Sequence, residues 1–90
     1  MSYNFRTSKN LDRILEKLFK KDNSTYEQII KKMDEIINSP NLEHYKNLRY
    51  TLKDRKRVHI GNFVLVFKFN KTENLIEFDD FDHHDLIYKK

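Results

Sequence analysis

The run Phe63-Val64-Leu65-Val66-Phe67-Lys68-Phe69 constrains this chain more than any other feature. Successive side chains of a strand point to opposite faces, and here both parities are apolar through Phe67. Such a strand must be covered on each side, so it belongs inside a sheet. Gly61-Asn62 ahead of it is turn chemistry, and Arg55 to Ile60 alternates basic residues with Val58 and Ile60, so a strand pair is expected. Asn70-Lys71-Thr72-Glu73-Asn74 supplies the next turn, and Leu75 to Phe81 a further strand. Its alternation decays after Phe78 into Asp79-Asp80-Phe81-Asp82-His83-His84-Asp85, where the chain should bend or leave the sheet. Leu86-Ile87-Tyr88 would close the structure.

The first half reads differently. Tyr3 to Arg6 alternates aromatic and polar residues, as a short strand does. Ser8 can cap a helix in which Leu11, Ile14, Leu15 and Leu18 recur at helical spacing, ending near Lys21. After the turn residues Asp22-Asn23-Ser24, the capping-box pattern Ser24-Thr25-Tyr26-Glu27 predicts a second helix from about Thr25. Its stripe of Tyr26, Ile29, Ile30, Met33, Ile36 and Ile37 ends at Asn38-Ser39-Pro40, because proline cannot continue a helix. Asn41 to Asp54 is irregular: Leu42, Tyr45, Leu48 and Leu52 are interrupted by Lys46, Arg49 and Lys53. The order predicts an α+β fold, β-α-α-β-β-β, with a short strand and an α-helical hairpin packed on a twisted antiparallel sheet. A parallel α/β fold would need strands and helices to alternate.

Ninety residues suit one domain over 1–90, since so short a chain can bury only enough surface for a single compact core. Five Tyr and seven Phe give enough apolar area to fold despite 36% charged residues. Cysteine is absent, which excludes disulfides and thiolate metal sites. No apolar run is long enough to span a bilayer, and the start Met1-Ser2-Tyr3-Asn4-Phe5-Arg6 lacks a signal-peptide core, so the cytoplasm is expected. A net charge of +4 suits a polyanionic partner, although many lysine-rich proteins are basic without one.

Arg55-Lys56-Arg57-Val58-His59 carries the most chemistry. Strand alternation puts Arg55, Arg57 and His59 on one face, while Val58 and Ile60 enter the other. Arg57 could grip a phosphate bidentately and His59 could exchange a proton near neutrality; the plainer reading is a charged face that discourages edge pairing. Lys46, Arg49, Lys53, Arg55 and Lys56 extend the positive surface as candidate RNA contacts, or are ordinary solubilising charges. His83 and His84 are adjacent and cannot both face the same way on a strand, so at most one should join His59. Their spacing resembles no standard ligand pattern, and neither a metal nor a cofactor is expected. Asp79, Asp80, Asp82 and Asp85 oppose a polyanion site unless they pair with Arg55 or Arg57 or act on a histidine. Tyr88 could stack on a base or pin the tail to the core.

The helical hairpin, the strand Arg57-Val58-His59-Ile60-Gly61-Asn62-Phe63-Val64-Leu65-Val66-Phe67 and the ending Phe81-Asp82-His83-His84-Asp85-Leu86-Ile87-Tyr88 together resemble the RelE/ParE toxin superfamily. The His-rich ending is similar to the YafQ branch. The resemblance implies a type II toxin that cuts messenger RNA, commonly on the ribosome, by driving a ribose 2′-hydroxyl onto the adjacent phosphate without a metal. It further implies a RelB-like antitoxin, acidic or amphipathic, as partner. Carried over by position, Arg57, His59, His83 or His84, and Tyr88 fall on the family's catalytic positions. Val64 departs from the pattern, because RelE-type members often carry an active-site Arg there; Arg57, Arg55 or a lysine would have to stabilise the phosphate instead. Three other readings compete: a ParE-like topoisomerase poison, a noncatalytic RNA or ribosome binder, and a plain interaction domain whose basic face docks an acidic partner.

Overall fold

The computed structural model describes residues 3–40, 42, 45 and 55–89, with the side chains of 88 and 89 outside the described set. Strand β1 (Asn4–Thr7) leads into helices α1 (Lys9–Lys21) and α2 (Asn23–Ile37). Strands β2 (Lys56–Ile60), β3 (Phe63–Asn70) and β4 (Leu75–His83) follow, and a short helix α3 (His84–Lys89) ends the described chain. The sheet order is β1-β4-β3-β2. Its three later strands are antiparallel as expected, whereas β1 crosses to the far edge and pairs parallel with β4, Phe5 opposite Ile76. The connection from β1 to its parallel partner is long, as parallel neighbours require, and includes the helical hairpin, β2 and β3.

Ser8 caps α1 as its sequence position implies. Its Oγ accepts from the Leu11 amide at 3.0 Å and donates to the Asp79 carbonyl at 2.6 Å, while its own amide donates to the Phe78 carbonyl at 2.9 Å. Ser8→Ala therefore removes both a cap and a tie between helix and sheet. It should lower unfolding free energy by about 1 to 2 kcal/mol, read as a shifted midpoint in urea at unchanged slope; a change under a few tenths would show that water replaces these bonds.

The second helix starts earlier than the Ser24/Glu27 pattern predicts. Asp22 is the cap instead: its carboxylate accepts from the Thr25 amide at 3.2 Å and the Thr25 hydroxyl at 2.6 Å, and its own amide donates to the Leu18 carbonyl at 2.8 Å. With φ −147, Asp22 departs from helical backbone. That suits an N-cap, so one residue ends α1 and begins α2. The Thr25 hydroxyl, then its amide, hold this carboxyl below the usual carboxylate range.

The core lies between the hairpin and one sheet face. Leu11, Ile29, Met33 and Ile36 meet Ile60, Leu65, Phe67, Ile76, Phe78 and Phe81, with Leu42 beside them. Phe67 and Phe78 are fully buried with ring centroids 6.1 Å apart. The decay of alternation after Phe78 is a β-bulge: Phe67 pairs with Phe78 and Val66 with Asp80, leaving Asp79 as the extra residue. A one-residue slip exchanges the faces of a strand, so the bulge keeps Phe81 in the core while the chain bends.

The opposite sheet face is partly covered by α3, which the sequence reading leaves as an unassigned ending. Ile87 packs on Val64 and Val66 in a second small cluster, so Val64 is fully buried rather than presented to solvent. The His84 amide donates to the Asn62 carbonyl at 2.9 Å, fastening the start of α3 to the β2–β3 turn. Gly61 in that turn has a positive φ of 62. Glycine adopts this left-handed conformation without a side-chain penalty. Among the described residues no helix is long and apolar enough to cross a membrane.

Candidate active site

The β2–β3 turn and the β4–α3 junction meet at one end of the sheet. Register places His59 opposite Val64 and Arg57 opposite Val66, so both side chains rise on the face that α3 covers. There His59, Gly61, Asn62, His83, His84 and Asp85 line a polar depression of about 380 Å³. A larger depression of about 460 Å³ lies on α1 between Arg13, Lys17 and Lys20. It holds no histidine or other group suited to proton transfer near neutrality.

The ring centroids of His59 and His84 are 5.5 Å apart and their planes differ by 27°. His83 also faces the depression, with its ring edge-on to Phe63 at 5.7 Å. Both tail histidines therefore line the same hollow, against the expectation that at most one would. That expectation treated them as strand neighbours, whereas His83 ends β4 and His84 begins α3, where strand alternation stops.

Arg57 Nη1 lies 2.8 Å from His59 Nε2. A guanidinium only donates, so Nε2 is the acceptor and the neutral ring carries its proton on Nδ1. Loss of surrounding water, then the Arg57 charge, then His84 lower the His59 pKa from its ordinary value. The unfolded chain accordingly binds more protons at this group than the folded one. Its contribution to stability is fully present above about pH 6.5 and is lost as pH falls through the lowered folded value.

The acidic run is largely engaged locally. Asp79 pairs with Arg55 at 2.5 Å, so Arg55, a candidate RNA contact, is committed to an ion pair. Asp80 accepts from Asn10 at 2.9 Å and from the Phe81 amide at 2.8 Å, and Asp82 from the His83 amide at 2.8 Å. Lys56, another candidate contact, has the parity of Val58 and donates to the Tyr45 carbonyl at 3.2 Å; it turns away from the depression. Lys46, Arg49 and Lys53 lie outside the described residues, as does the side chain of Tyr88, whose backbone belongs to α3. Asp85 and Asn62 line the site without having been singled out as site residues. The turn signal at Asn62 hides its role in anchoring α3, and Asp85 reads from sequence as unfavourable charge unless it pairs with an arginine or acts on a histidine. Among the described residues no group of three or more His, Cys, Asp or Glu is arranged to hold a metal ion.

Comparison with known proteins places the chain in a family. A relative from Methanocaldococcus jannaschii, described as the candidate toxin RelE4, is 51% identical over 89 residues, covering 98% of this chain and 93% of the relative. The toxin–antitoxin complex RelBE2 of Mycobacterium tuberculosis contains a chain of the same fold, with TM-score 0.76 at 19% identity over 93% of this chain and 100% of that one. YafQ of E. coli superposes with TM-score 0.74 at 15% identity, covering 96% and 98% of the two chains. The family described as ParE toxin of the type II toxin–antitoxin system parDE matches residues 4–88. With nearly its whole length matched and a relative at 51% identity, the chain belongs to the RelE/ParE family of type II toxins.

Proposed function

We propose that this toxin is an endoribonuclease that cuts messenger RNA, in association with the ribosome, by attack of a ribose 2′-hydroxyl on the adjacent phosphate. The observation that carries the reading is the juxtaposition of two imidazoles 5.5 Å apart with a guanidinium 2.8 Å from one of them. Transphosphorylation needs a base for the 2′-hydroxyl, a cation for the phosphate and an acid for the 5′-oxygen. His59 and His84 can exchange the protons, and Arg57, with five donors in a planar fork, suits the phosphate. The missing Arg at position 64 is consistent with this set, because that side chain packs under Ile87 and the cation comes from β2 instead. His83 and Tyr88 complete the proposed site, Tyr88 by stacking on a base.

Purified toxin added to translating ribosomes should leave cut message with 2′,3′-cyclic phosphate and 5′-hydroxyl ends. A message with 2′-deoxyribose at the cut position should resist. Cutting of the deoxy message, or 5′-phosphate ends, would show a hydrolytic route and overturn the mechanism.

The partner that restrains the toxin is, on this reading, a RelB-like antitoxin, as in the complex from M. tuberculosis, and the site of action is the cytoplasm. An acidic or amphipathic antitoxin fits a chain of net charge +4. The family description names ParE, which favours a second reading, a topoisomerase poison on the same fold. Growth arrest with DNA damage and intact message would select it.

A further inference from the structure

Asp85 has no part in the chemistry above, yet its carboxylate sits between the two tail imidazoles. Oδ1 is 3.5 Å from Nδ1 of His84 and Oδ2 is 3.9 Å from Nδ1 of His83. The Asp85 amide donates to that same His83 Nδ1 at 3.3 Å, so this nitrogen is occupied as an acceptor. A proton on Nδ1 is therefore disfavoured for His83, while on His84 it would face a carboxylate. The groups around His84 include Asp85 and His83 from the chain junction and His59 from β2, with Arg57 beyond the His59 ring. Around His59 they are Arg57 and His84. One imidazole thus has a cation for its direct partner and the other an anion, and the two stack.

We infer that Asp85 is a positioning residue that holds His84 as the proton donor to the leaving group, opposite His59 as the proton acceptor. This rests on the ribonuclease reading and assigns its acid and base. With Nδ1 turned to Asp85, His84 presents Nε2–H to the substrate. When a phosphodiester draws Arg57 onto its oxygens, the lone pair on His59 Nε2 is released to take the 2′-hydroxyl proton. The O2′–P bond forms from the oxygen's electron pair. The P–O5′ bond breaks with its pair going to O5′, which takes the proton from His84. His59 finishes protonated and His84 neutral, and exchange with water resets both, so no other reactant is needed.

The test uses two messages on programmed ribosomes, one ordinary and one with a bridging sulfur in place of O5′ at the cut position. A thiolate leaves without protonation, so it spares the acid and not the base. On the ordinary message His84→Ala should lose about 10²- to 10⁴-fold in rate. On the sulfur message it should approach wild type. Asp85→Asn should lose on the order of tenfold through a misoriented imidazole. It should recover with sulfur, and Asp85→Glu should restore much of the ordinary rate. His59→Ala should be defective on both messages.

Sulfur rescue of His59→Ala but not of His84→Ala would reverse the assignment and overturn the inference. Asp85→Asn equally slow on both messages, with a lowered melting temperature, would show a role confined to the first turn of α3 and would also overturn it. If wild type cuts neither message, the ribonuclease reading itself fails; if wild type cuts both and the variants do not separate, only the acid and base assignment falls.

Discussion

Replacing His59 with alanine should lower message cleavage by about 10²- to 10⁴-fold while the protein stays folded. The ring stands at an exposed strand position, so its loss opens no cavity in the main core. It does remove the proposed acceptor for the 2′-hydroxyl proton. In the wild type, cleavage should rise with pH as His59 loses its proton, and this limb should lie below about pH 6.5 because the folded value is lowered. Arg57→Ala should raise that limb towards the ordinary value, since a neighbouring positive charge is removed, even as the rate falls through the lost phosphate contact. The check is single-turnover cleavage across a pH series spanning the limb. A His59→Ala protein as fast as wild type throughout would remove His59 from the chemistry.

Phe78→Ala should cost about 3 to 5 kcal/mol of unfolding free energy. Phe78 is fully buried; its ring packs on Phe67, receives the edge of Phe5 at 6.1 Å, and is the last core residue before the bulge. A domain of this size has on the order of 10 kcal/mol in total, so the substitution takes a large share of it. The melting temperature should fall on the order of 20 °C. Phe63→Ala offers the contrast, because that ring is 38% exposed and stacks on Phe81 from outside the core. Its loss should cost well under half as much. Equal costs would mean that the bulge region collapses around the smaller residue. Denaturation of both variants, with circular dichroism to confirm native structure, decides it.

Local pattern made much of this fold legible. The two-sided apolarity of Phe63 to Phe67 gives β3 an interior place, and the parity of Arg57 and His59 against Val58 and Ile60 separates the site face from the core face. Features that depend on distant chain segments were less legible. Parallel pairing of β1 with β4 joins Phe5 to Ile76, a contact without a local signature. Helix α3 has six residues and is anchored through Ile87 and the His84 amide. So short a segment gives helical periodicity no room to register. The start of α2 differed for another reason. Asp22 and Ser24 are both good cap residues, and the former wins because it can also close α1. At the site, the sequence marks the titratable candidates, but only the strand-to-helix change at His83 and His84 brings both rings to one hollow.

The Ser8 hydroxyl has a mechanical corollary. It touches the first turn of α1 on one side and the extra residue of β4 on the other. That extra residue sets the direction in which the strand runs on to the paired imidazoles. The helical layer and the site end of β4 therefore meet at the Ser8 oxygen, beside the hydrogen bond from the Ser8 amide to Phe78 and the Asn10 bond to Asp80. A load that displaced the hairpin along the sheet would pull first on the carbonyl of the bulged residue.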